Sequence, residues 1–180
     1  MHAGHVAFAL QAAKAAALGQ VCMMPERTPR HKPHVTHYAH RVAMLRRAIR
    51  PHQVLSVLES EDRSFSTTHT LPRLQRQFSG ATLVFLCGSD VLQHMASWPH
   101  VTQFLENVEL CVGIRKGETT AAVEQALRQL PVSPQAVFIV DSYVADASSS
   151  EIRQAIRQQL PAHGLLQSVV AYAKRAWLYL

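Results

Sequence analysis

Four short segments of the chain carry residue types and spacings that suit the binding of phosphate groups. The first is His2-Ala-Gly-His5, just ahead of a helix predicted to start near Val6. Two imidazoles at this spacing would lie beside the free N–H groups of the helix, where anions bind favourably. Gly4 leaves room for a phosphate to approach the backbone. The alternative is a disordered terminus with chance histidines, because the chain contains 11 of them.

A second segment concentrates positive charge in the loop that follows the apolar run Val21–Met24. The loop extends from Pro25 to Pro33, and its prolines restrict the backbone. Its basic side chains crowd a short arc: Arg27, Arg30, His31 and Lys32. They could bind small phosphates, although a basic loop exposed to solvent is the better explanation when this segment is taken alone.

The third segment, Phe85–Asp90, has the pattern of a buried strand that ends in a turn at Gly88. Asp90 opens the following helix, where it could contact a ligand or act as the N-cap. Taken alone, the segment favours the N-cap. Trp98 follows this short helix, and its indole could stack on a planar ring or fill the core.

The fourth segment places hydroxyl groups ahead of the penultimate helix. Ser148, Ser149 and Ser150 precede Arg153, which lies one turn inside that helix. Hydroxyls and backbone N–H groups could surround a phosphate that the guanidinium binds with two hydrogen bonds. A capping box, with Ser148 as N-cap and Glu151 at the third helical position, is the structural alternative.

The segments lie on a chain in which strand and helix patterns alternate. Apolar runs predict strands at Val21–Met24, Val54–Leu58, Thr82–Cys87, Val108–Ile114 and Ala136–Val140. Helical periodicity predicts helices near 38–49, from Ser66 or Thr67 to about Phe78, and at Asp90–Met95, Val101–Asn107, Glu118–Leu130, Ser149–Leu160 and Leu165–Trp177. In the last helix, Leu166, Val169, Ala173 and Trp177 form the apolar stripe.

This alternation predicts an α/β fold, a doubly wound (Rossmann-like) and mostly parallel sheet with helices on both faces. We expect residues 1–180 to form a single domain. Ligands of such sheets bind beyond the carboxyl ends of the strands, so the loops that follow strands are where a site is expected.

Composition narrows the class of partner. The net charge is +6 before any histidine is counted, so the surface attracts anions. Neither a continuous basic run nor alternating basic and aromatic residues is present, which argues against nucleic acid. No apolar run approaches the roughly 20 residues of a membrane helix, and the terminus lacks the basic start of a signal peptide.

Three cysteines in apolar runs, Cys22, Cys87 and Cys111, predict reduced thiols and a cytoplasmic protein.

In their order along the chain, the segments resemble the nicotinate/nicotinamide mononucleotide adenylyltransferases of the HxGH nucleotidyltransferase superfamily. The segment His2–His5 matches the second half of the signature G-G-(S/T)-F-(D/N)-P-x-H-x-G-H. Further motifs are similar: P-x-H-K at Pro29–Lys32, h-R-x-x-M-L at His40–Leu45, S-Y-T-x-x-T-L at Ser66–Leu71, G-x-D-x-L…W at Gly88–Trp98, I-S-S-T-x-I-R at Ala147–Arg153, and V-x-x-Y-I…L-Y at Val169–Tyr179. The resemblance spans essentially the whole chain.

The resemblance implies transfer of the adenylyl group of ATP to nicotinate or nicotinamide mononucleotide, with release of pyrophosphate and no covalent intermediate. Mg²⁺ would be held largely by ATP and water. The implied ATP-binding residues are His2, Gly4, His5, Gly88, Asp90, Ser148, Ser149, Ser150 and Arg153. Lys32, Thr70 and Trp98 would bind the mononucleotide. The implied catalytic set is His2, His5, Lys32 and Arg153.

The sequence departs from this family at its start, because the family has a strand and a glycine-rich turn before the histidine that matches His2. That strand is central in the family's sheet, whose order is 3-2-1-4-5, and its loss would leave two strand edges unpaired. We therefore expect roughly 10–20 residues, one strand and a turn, to precede Met1 in the natural protein. In-frame DNA upstream of Met1 would show them.

Two alternatives to this function stay open. One is a nucleotide-binding homologue without catalytic activity. The other is an adenylyltransferase for a different phosphorylated acceptor, pantetheine phosphate or FMN, against which the stretch Gly88–Trp98 argues. Pro99 stands where many relatives carry an aromatic or basic residue, so the preference for acid or amide also stays open. The oligomeric state is not determined, and a homo-oligomer is allowed.

Overall fold

A computed structural model describes residues 2–29, 35–115, 117–141, 149–158, 160 and 164–179. The strands are β1 (Val21–Met23), β2 (Leu55–Val57), β3 (Val84–Gly88), β4 (Glu109–Ile114) and β5 (Val137–Asp141). The helices are α1 (Ala3–Ala15), α2 (Tyr38–Ile49), α3 (Thr70–Gln77), α4 (Ser89–Met95), α5 (Val101–Asn107), α6 (Thr120–Arg128), α7 (Ser149–Gln158) and α8 (Gln167–Arg175). The predicted α/β class is confirmed, and each predicted strand overlaps an observed one.

The chain divides into two compact units. Met1–Arg63 and Ser142–Leu180 form the first unit, and Ser64–Asp141 forms the second. The expectation of a single domain over residues 1–180 stays a prediction. In the second unit, β3, β4 and β5 form a parallel sheet in that order, with Gly88 opposite Gly113 and Ile114 opposite Asp141.

The core of the second unit surrounds β4. This strand is buried from Leu110 to Ile114, and the residues after Glu109 are apolar or glycine, as expected for a strand covered on both faces. Helix α4 packs against β3 and β4, and α6 packs against β4 and α4. Phe104 and Leu110 are fully buried in the same cluster. The sheet and these helices thereby place the carboxyl ends of β3 and β4 next to each other.

In the first unit, β1 and β2 pair in parallel, with Val21 opposite Leu55. Helix α2 packs against β2, α1 and α8, and buries Val42, Leu45 and Ile49 as its periodicity predicts. Helix α1 buries mostly small residues, among them Ala12, which is fully buried. Small side chains let neighbouring elements approach its backbone closely.

The described strands fall into two groups, a two-stranded and a three-stranded sheet.

Some boundaries differ from the predictions. Helix α1 begins at Ala3 rather than near Val6, and α3 begins at Thr70, so neither Ser66 nor Thr67 is its N-cap. The Ser66 carbonyl oxygen accepts hydrogen bonds from the backbone N–H groups of Thr70 and Leu71, which makes a turn before α3. Trp177 lies beyond the end of α8 with φ 52° and is 82% exposed, so it is not part of the apolar stripe.

The cysteines agree with the expected reduced thiols. Cys22, Cys87 and Cys111 are all free, and the last two are buried. Burial raises the pKa of Cys87 to about 12 and that of Cys111 to about 11, so both stay protonated at neutral pH. Within the described parts of the chain, we find no helix with both the length and the apolar character needed to cross a bilayer.

Candidate active site

One group of predicted site residues lies in the first unit, at the beginning of α1. His2 is the N-cap residue, with an extended backbone (φ −139°, ψ 170°), and its side chain makes no capping hydrogen bond. Its ring centroid lies 3.8 Å from that of His5, and the rings are tilted by 49°. The His5 backbone N–H donates to the His2 carbonyl oxygen (3.1 Å). The structure thus brings the two imidazoles together around Gly4, which is itself buried.

The His2 ring is 8% exposed, and its Nδ1 atom is buried without a hydrogen-bond partner among the described residues. Burial, with the positive charge of the amino terminus as the smaller cause, lowers the pKa of His2 from 6.5 to about 4. At neutral pH the ring is neutral, so one nitrogen can donate a hydrogen bond and the other can accept one. A buried polar atom without a partner is costly, and a bound ligand would relieve that cost.

We expect His2 to titrate near pH 4. Because the folded-state pKa of His2 is depressed, the unfolded chain binds a proton at this residue before the folded protein does, so the free energy of unfolding decreases as the pH falls from 6.5 towards 4. NMR titration of the imidazole Cε1–H resonances measures the pKa directly, with His2→Gln identifying the signal. The urea midpoint of the wild type should fall more between pH 7 and pH 5 than that of His2→Gln. Titration of His2 near 6.5 would contradict the observed burial.

A second group of predicted site residues lies in the second unit, at the carboxyl ends of β3 and β4. Gly88 ends β3, and Asp90 lies in the first turn of α4. The Asp90 Oδ2 atom is 3.0 Å from Nη2 of Arg115, which directly follows β4. Since Gly88 and Gly113 are opposite each other in register, the two strands end side by side and bring these charges together.

The side chain of Asp90 folds back over Gly88. A Cβ atom at position 88 would lie 2.4 Å from Asp90 Oδ1, so only glycine leaves the carboxylate in this place. That oxygen is buried and has no hydrogen-bond partner in the part of the chain that the structure describes. The N-cap interpretation of Asp90 is wrong, because Gly88 is the N-cap and no side chain caps α4. Asp90 is instead a charged group paired at the edge of the sheet.

Sequence reasoning missed Arg115. A signal was available, because Arg115 is a basic residue immediately after a strand, where ligand-binding loops begin in parallel sheets. Nothing in the sequence, however, indicated that its partner would be Asp90. The pair is about half exposed, with side-chain exposures of 57% and 45%. We therefore attribute to it an orienting effect on Asp90 rather than a large contribution to stability.

Thr70 and Trp98 also lie in the second unit, and both take part in packing. Thr70 is fully buried, and its Oγ1 accepts the backbone N–H of Ser66 (3.0 Å). Trp98 is half-buried, with its ring centroid 5.9 Å from Phe85 and 5.8 Å from Phe104. Both residues therefore have structural contacts within the protein. The binding of the mononucleotide that was predicted for them stays a prediction.

The serine-rich segment is described in part. Helix α7 begins at Ser149, so Ser149 and Ser150 form its first turn, and half-buried Arg153 lies one turn further on. Ile152 is buried against Leu165 and Tyr179, which sets the orientation of α7 within the first unit. Ser148 and Lys32 lie outside the described residues. Among the residues that are described, no group of three or more His, Cys, Asp or Glu side chains could hold a metal ion.

Comparison with solved structures defines the class of fold. Nicotinic acid mononucleotide adenylyltransferase of Plasmodium falciparum, complexed with NaAD, superposes with a TM-score of 0.75 at 16% identity, over 99% of this chain and 91% of that chain. The same protein complexed with APC gives a TM-score of 0.76 at 15% identity. The fold is therefore that of a Rossmann-like nucleotidyltransferase.

Sequence comparison narrows the class to a family. A family model described as cytidylyltransferase-like matches residues 1–155. A relative from Pseudoalteromonas atlantica, named "probable nicotinate-nucleotide adenylyltransferase", is 32% identical over 92% of this chain and 83% of its own length. A relative of the same name from Solibacter usitatus is 32% identical over 99% of this chain and 93% of its own length. The chain belongs to the cytidylyltransferase-like family and, within it, to the nicotinate-nucleotide adenylyltransferases.

Proposed function

We propose that the protein transfers the adenylyl group of ATP to nicotinate mononucleotide, which yields the dinucleotide and pyrophosphate in NAD biosynthesis. The observation that carries this proposal is the His2–His5 pair at the start of α1, with rings 3.8 Å apart and a buried Nδ1 atom that has no partner among the described residues. The names of the relatives and the family membership support the same activity.

The chemistry is a single in-line displacement. A phosphate oxygen of the mononucleotide attacks the α-phosphorus of ATP, the bond from that phosphorus to the bridging oxygen breaks, and pyrophosphate leaves with the electron pair. Such a reaction needs reactants held in line and charge neutralised on the phosphoryl oxygens. His5 is exposed at the start of a helix and would donate to the α-phosphoryl group, while neutral His2 would donate one hydrogen bond to a neighbouring phosphate.

The other predicted residues supply the remaining contacts in this proposal. Gly4 leaves the backbone open to phosphate, and the start of α7 would bind the triphosphate through Ser148, Ser149, Ser150 and Arg153. Lys32 would contact phosphate from its basic loop. Gly88 and Asp90 would contact the ribose or metal-linked waters. Trp98 would stack on the pyridine ring, and Thr70 would contact the mononucleotide. Mg²⁺ would enter with ATP, held largely by ATP itself and water.

The relatives are named for nicotinate nucleotide, so we expect the acid to be the better acceptor than the amide. The three free thiols favour the cytoplasm as the compartment, because reducing conditions keep thiols unpaired there.

An acceptor panel tests the proposal in the protein as the cell makes it. ATP and Mg²⁺ are supplied with nicotinate mononucleotide, nicotinamide mononucleotide, pantetheine phosphate or FMN, and pyrophosphate release is followed while mass spectrometry identifies the dinucleotide. We expect turnover with nicotinate mononucleotide above all others. Turnover with pantetheine phosphate or FMN alone, or ATP binding without any turnover, would overturn the proposal in favour of one of the alternatives.

A further inference from the structure

Four aromatic rings of the second unit contact one another, and we call them the aromatic cluster: Phe65, Phe85, Trp98 and Phe104. The Phe85 ring centroid lies 5.9 Å from that of Trp98 and 5.1 Å from that of Phe104, with interplanar angles of 85° and 86°. Phe104 also lies 5.8 Å from Trp98 and 5.8 Å from Phe65. Phe104 is fully buried, whereas the other three rings are partly buried, so Phe104 is the centre of the cluster.

The main chain at Trp98 is held by the turn between α4 and α5. Its backbone N–H donates to the Met95 carbonyl oxygen (3.0 Å), and its own carbonyl oxygen accepts the backbone N–H of Val101 (3.3 Å). His100 has a left-handed backbone in this turn (φ 58°), a conformation that histidine adopts more readily than most residue types. The turn leaves the indole free to rotate about its side-chain bonds, and the contacts with the other rings of the aromatic cluster restrict that rotation.

At its other end, the aromatic cluster meets the turn before α3. Phe65 directly precedes Ser66, whose backbone N–H donates to Thr70 Oγ1 (3.0 Å) and whose carbonyl oxygen accepts the Thr70 backbone N–H (2.9 Å). These two hydrogen bonds tie the position of Thr70 to that of Phe65. The aromatic cluster therefore connects Thr70 with Trp98, and all of these residues belong to the second unit.

We propose that Phe104 is a positioning residue for the mononucleotide: as the buried centre of the aromatic cluster, it holds the Trp98 indole and the Thr70 turn in a fixed arrangement. This inference rests on the proposed function, which assigns Trp98 and Thr70 to the mononucleotide. A side chain that is already oriented binds a planar ring more tightly, because the cost of ordering it is not subtracted from the binding free energy. Phe104 itself is fully buried and touches no substrate in this assignment.

Tryptophan fluorescence tests the packing of Trp98 without reference to activity. The chain has two tryptophans, Trp98 and Trp177, so Trp177→Phe leaves Trp98 as the only one. In that background we expect Phe104→Leu to raise the acrylamide quenching constant of Trp98 about twofold or more, because leucine lacks the ring that packs against the indole. Val123→Ala is the matched control and should leave this constant unchanged, since Val123 is buried in the same core, on α6, but lies outside the aromatic cluster. Unchanged quenching in Phe104→Leu would overturn the inference.

Steady-state kinetics test the effect on the proposed reaction. We expect Phe104→Leu to raise KM for nicotinate mononucleotide about tenfold, while KM for ATP and kcat stay within about twofold of wild type. The same substitution should raise the mononucleotide KM less than about threefold in a Trp98→Leu background, because the indole that Phe104 positions is then absent. Equal rises of KM for both substrates, or equal rises in both backgrounds, would show a merely structural role and overturn the inference.

Phe65→Leu is a second variant that tests the inference if Phe104→Leu does not fold. Phe65 is only partly buried, so its replacement costs less packing. We expect Phe65→Leu to raise the mononucleotide KM about threefold or more. Circular dichroism and Tm values establish which variants are folded at the assay temperature. Wild-type KM values in folded variants would overturn this inference alone, whereas a wild type without turnover would overturn the proposed function.

Discussion

Replacing His5 with alanine should lower kcat for adenylyl transfer about a hundredfold or more, while the melting temperature changes little. His5 is exposed in the first turn of α1, and its ring contacts that of His2. Alanine has a high helix propensity, so we expect the backbone of α1 to keep its conformation. In the proposed reaction, His5→Ala removes a hydrogen-bond donor from the position where charge develops on the α-phosphoryl group. That loss would affect the transition state more than substrate binding.

Steady-state assays of pyrophosphate release, run beside thermal unfolding, separate these two effects for His5→Ala. His94→Ala is the matched control, because His94 is an exposed histidine in the last turn of α4 and has no assigned role. We expect the control to keep wild-type kcat. If His5→Ala also kept it, the His2–His5 pair would not be the phosphate site, and the function that rests on this pair would fail.

The second large effect is expected from Gly88→Ala, which should lower kcat/KM about tenfold or more and leave the fold nearly as stable as before. The added Cβ would lie 2.4 Å from Asp90 Oδ1, which is closer than atoms can approach. The backbone at Gly88 (φ −77°, ψ 159°) accepts alanine without strain. The Asp90 carboxylate is the part that can move, so it turns away and gives up its place beside Arg115.

Loss of that ion pair costs little stability because both partners are about half exposed. The expected pattern for Gly88→Ala is therefore a large kinetic change with a small shift in Tm. Gly19→Ala is the matched control, since a Cβ atom there would meet nothing within 4 Å. Wild-type kinetics for Gly88→Ala would remove Asp90 from the proposed site, and a large drop in Tm would show that Gly88 is needed for packing instead.

Much of the fold was predictable because buried positions are occupied by apolar residues, whose spacing along the sequence differs between strands and helices. Strand β4 is apolar or glycine from Leu110 to Ile114, where it is buried, and the periodicity of α2 marks the face that packs inward. The errors fall where a local pattern was compatible with two structures. Serine is a residue type that often caps helices, yet the Ser66 carbonyl oxygen closes a turn and the helix begins at Thr70.

The candidate site was predictable as a set of segments but not as a set of contacts. Spacing alone brings His2 and His5 together, because residues at the start of one helix are neighbours in space. The pairing of Asp90 with Arg115 depends instead on the register of β3 and β4, which no short motif records. For the same reason, the sequence suggested an N-cap role for Asp90 that the structure does not support.

The histidine pair marks the boundary between what the sequence determined and what only the tertiary structure decided. Residue type and spacing determined that an imidazole pair stands at a helix start, and that parallel strands lead to the loops that could hold phosphate. Tertiary structure decided that His2 is buried and neutral, and that the Arg41 guanidinium donates to the carbonyl oxygens of Glu26, Arg27 and Thr36. The physical reason is that burial and main-chain acceptors arise from the packing of distant segments. A carbonyl oxygen is present at every residue, so the sequence cannot mark which three of them a guanidinium will bind.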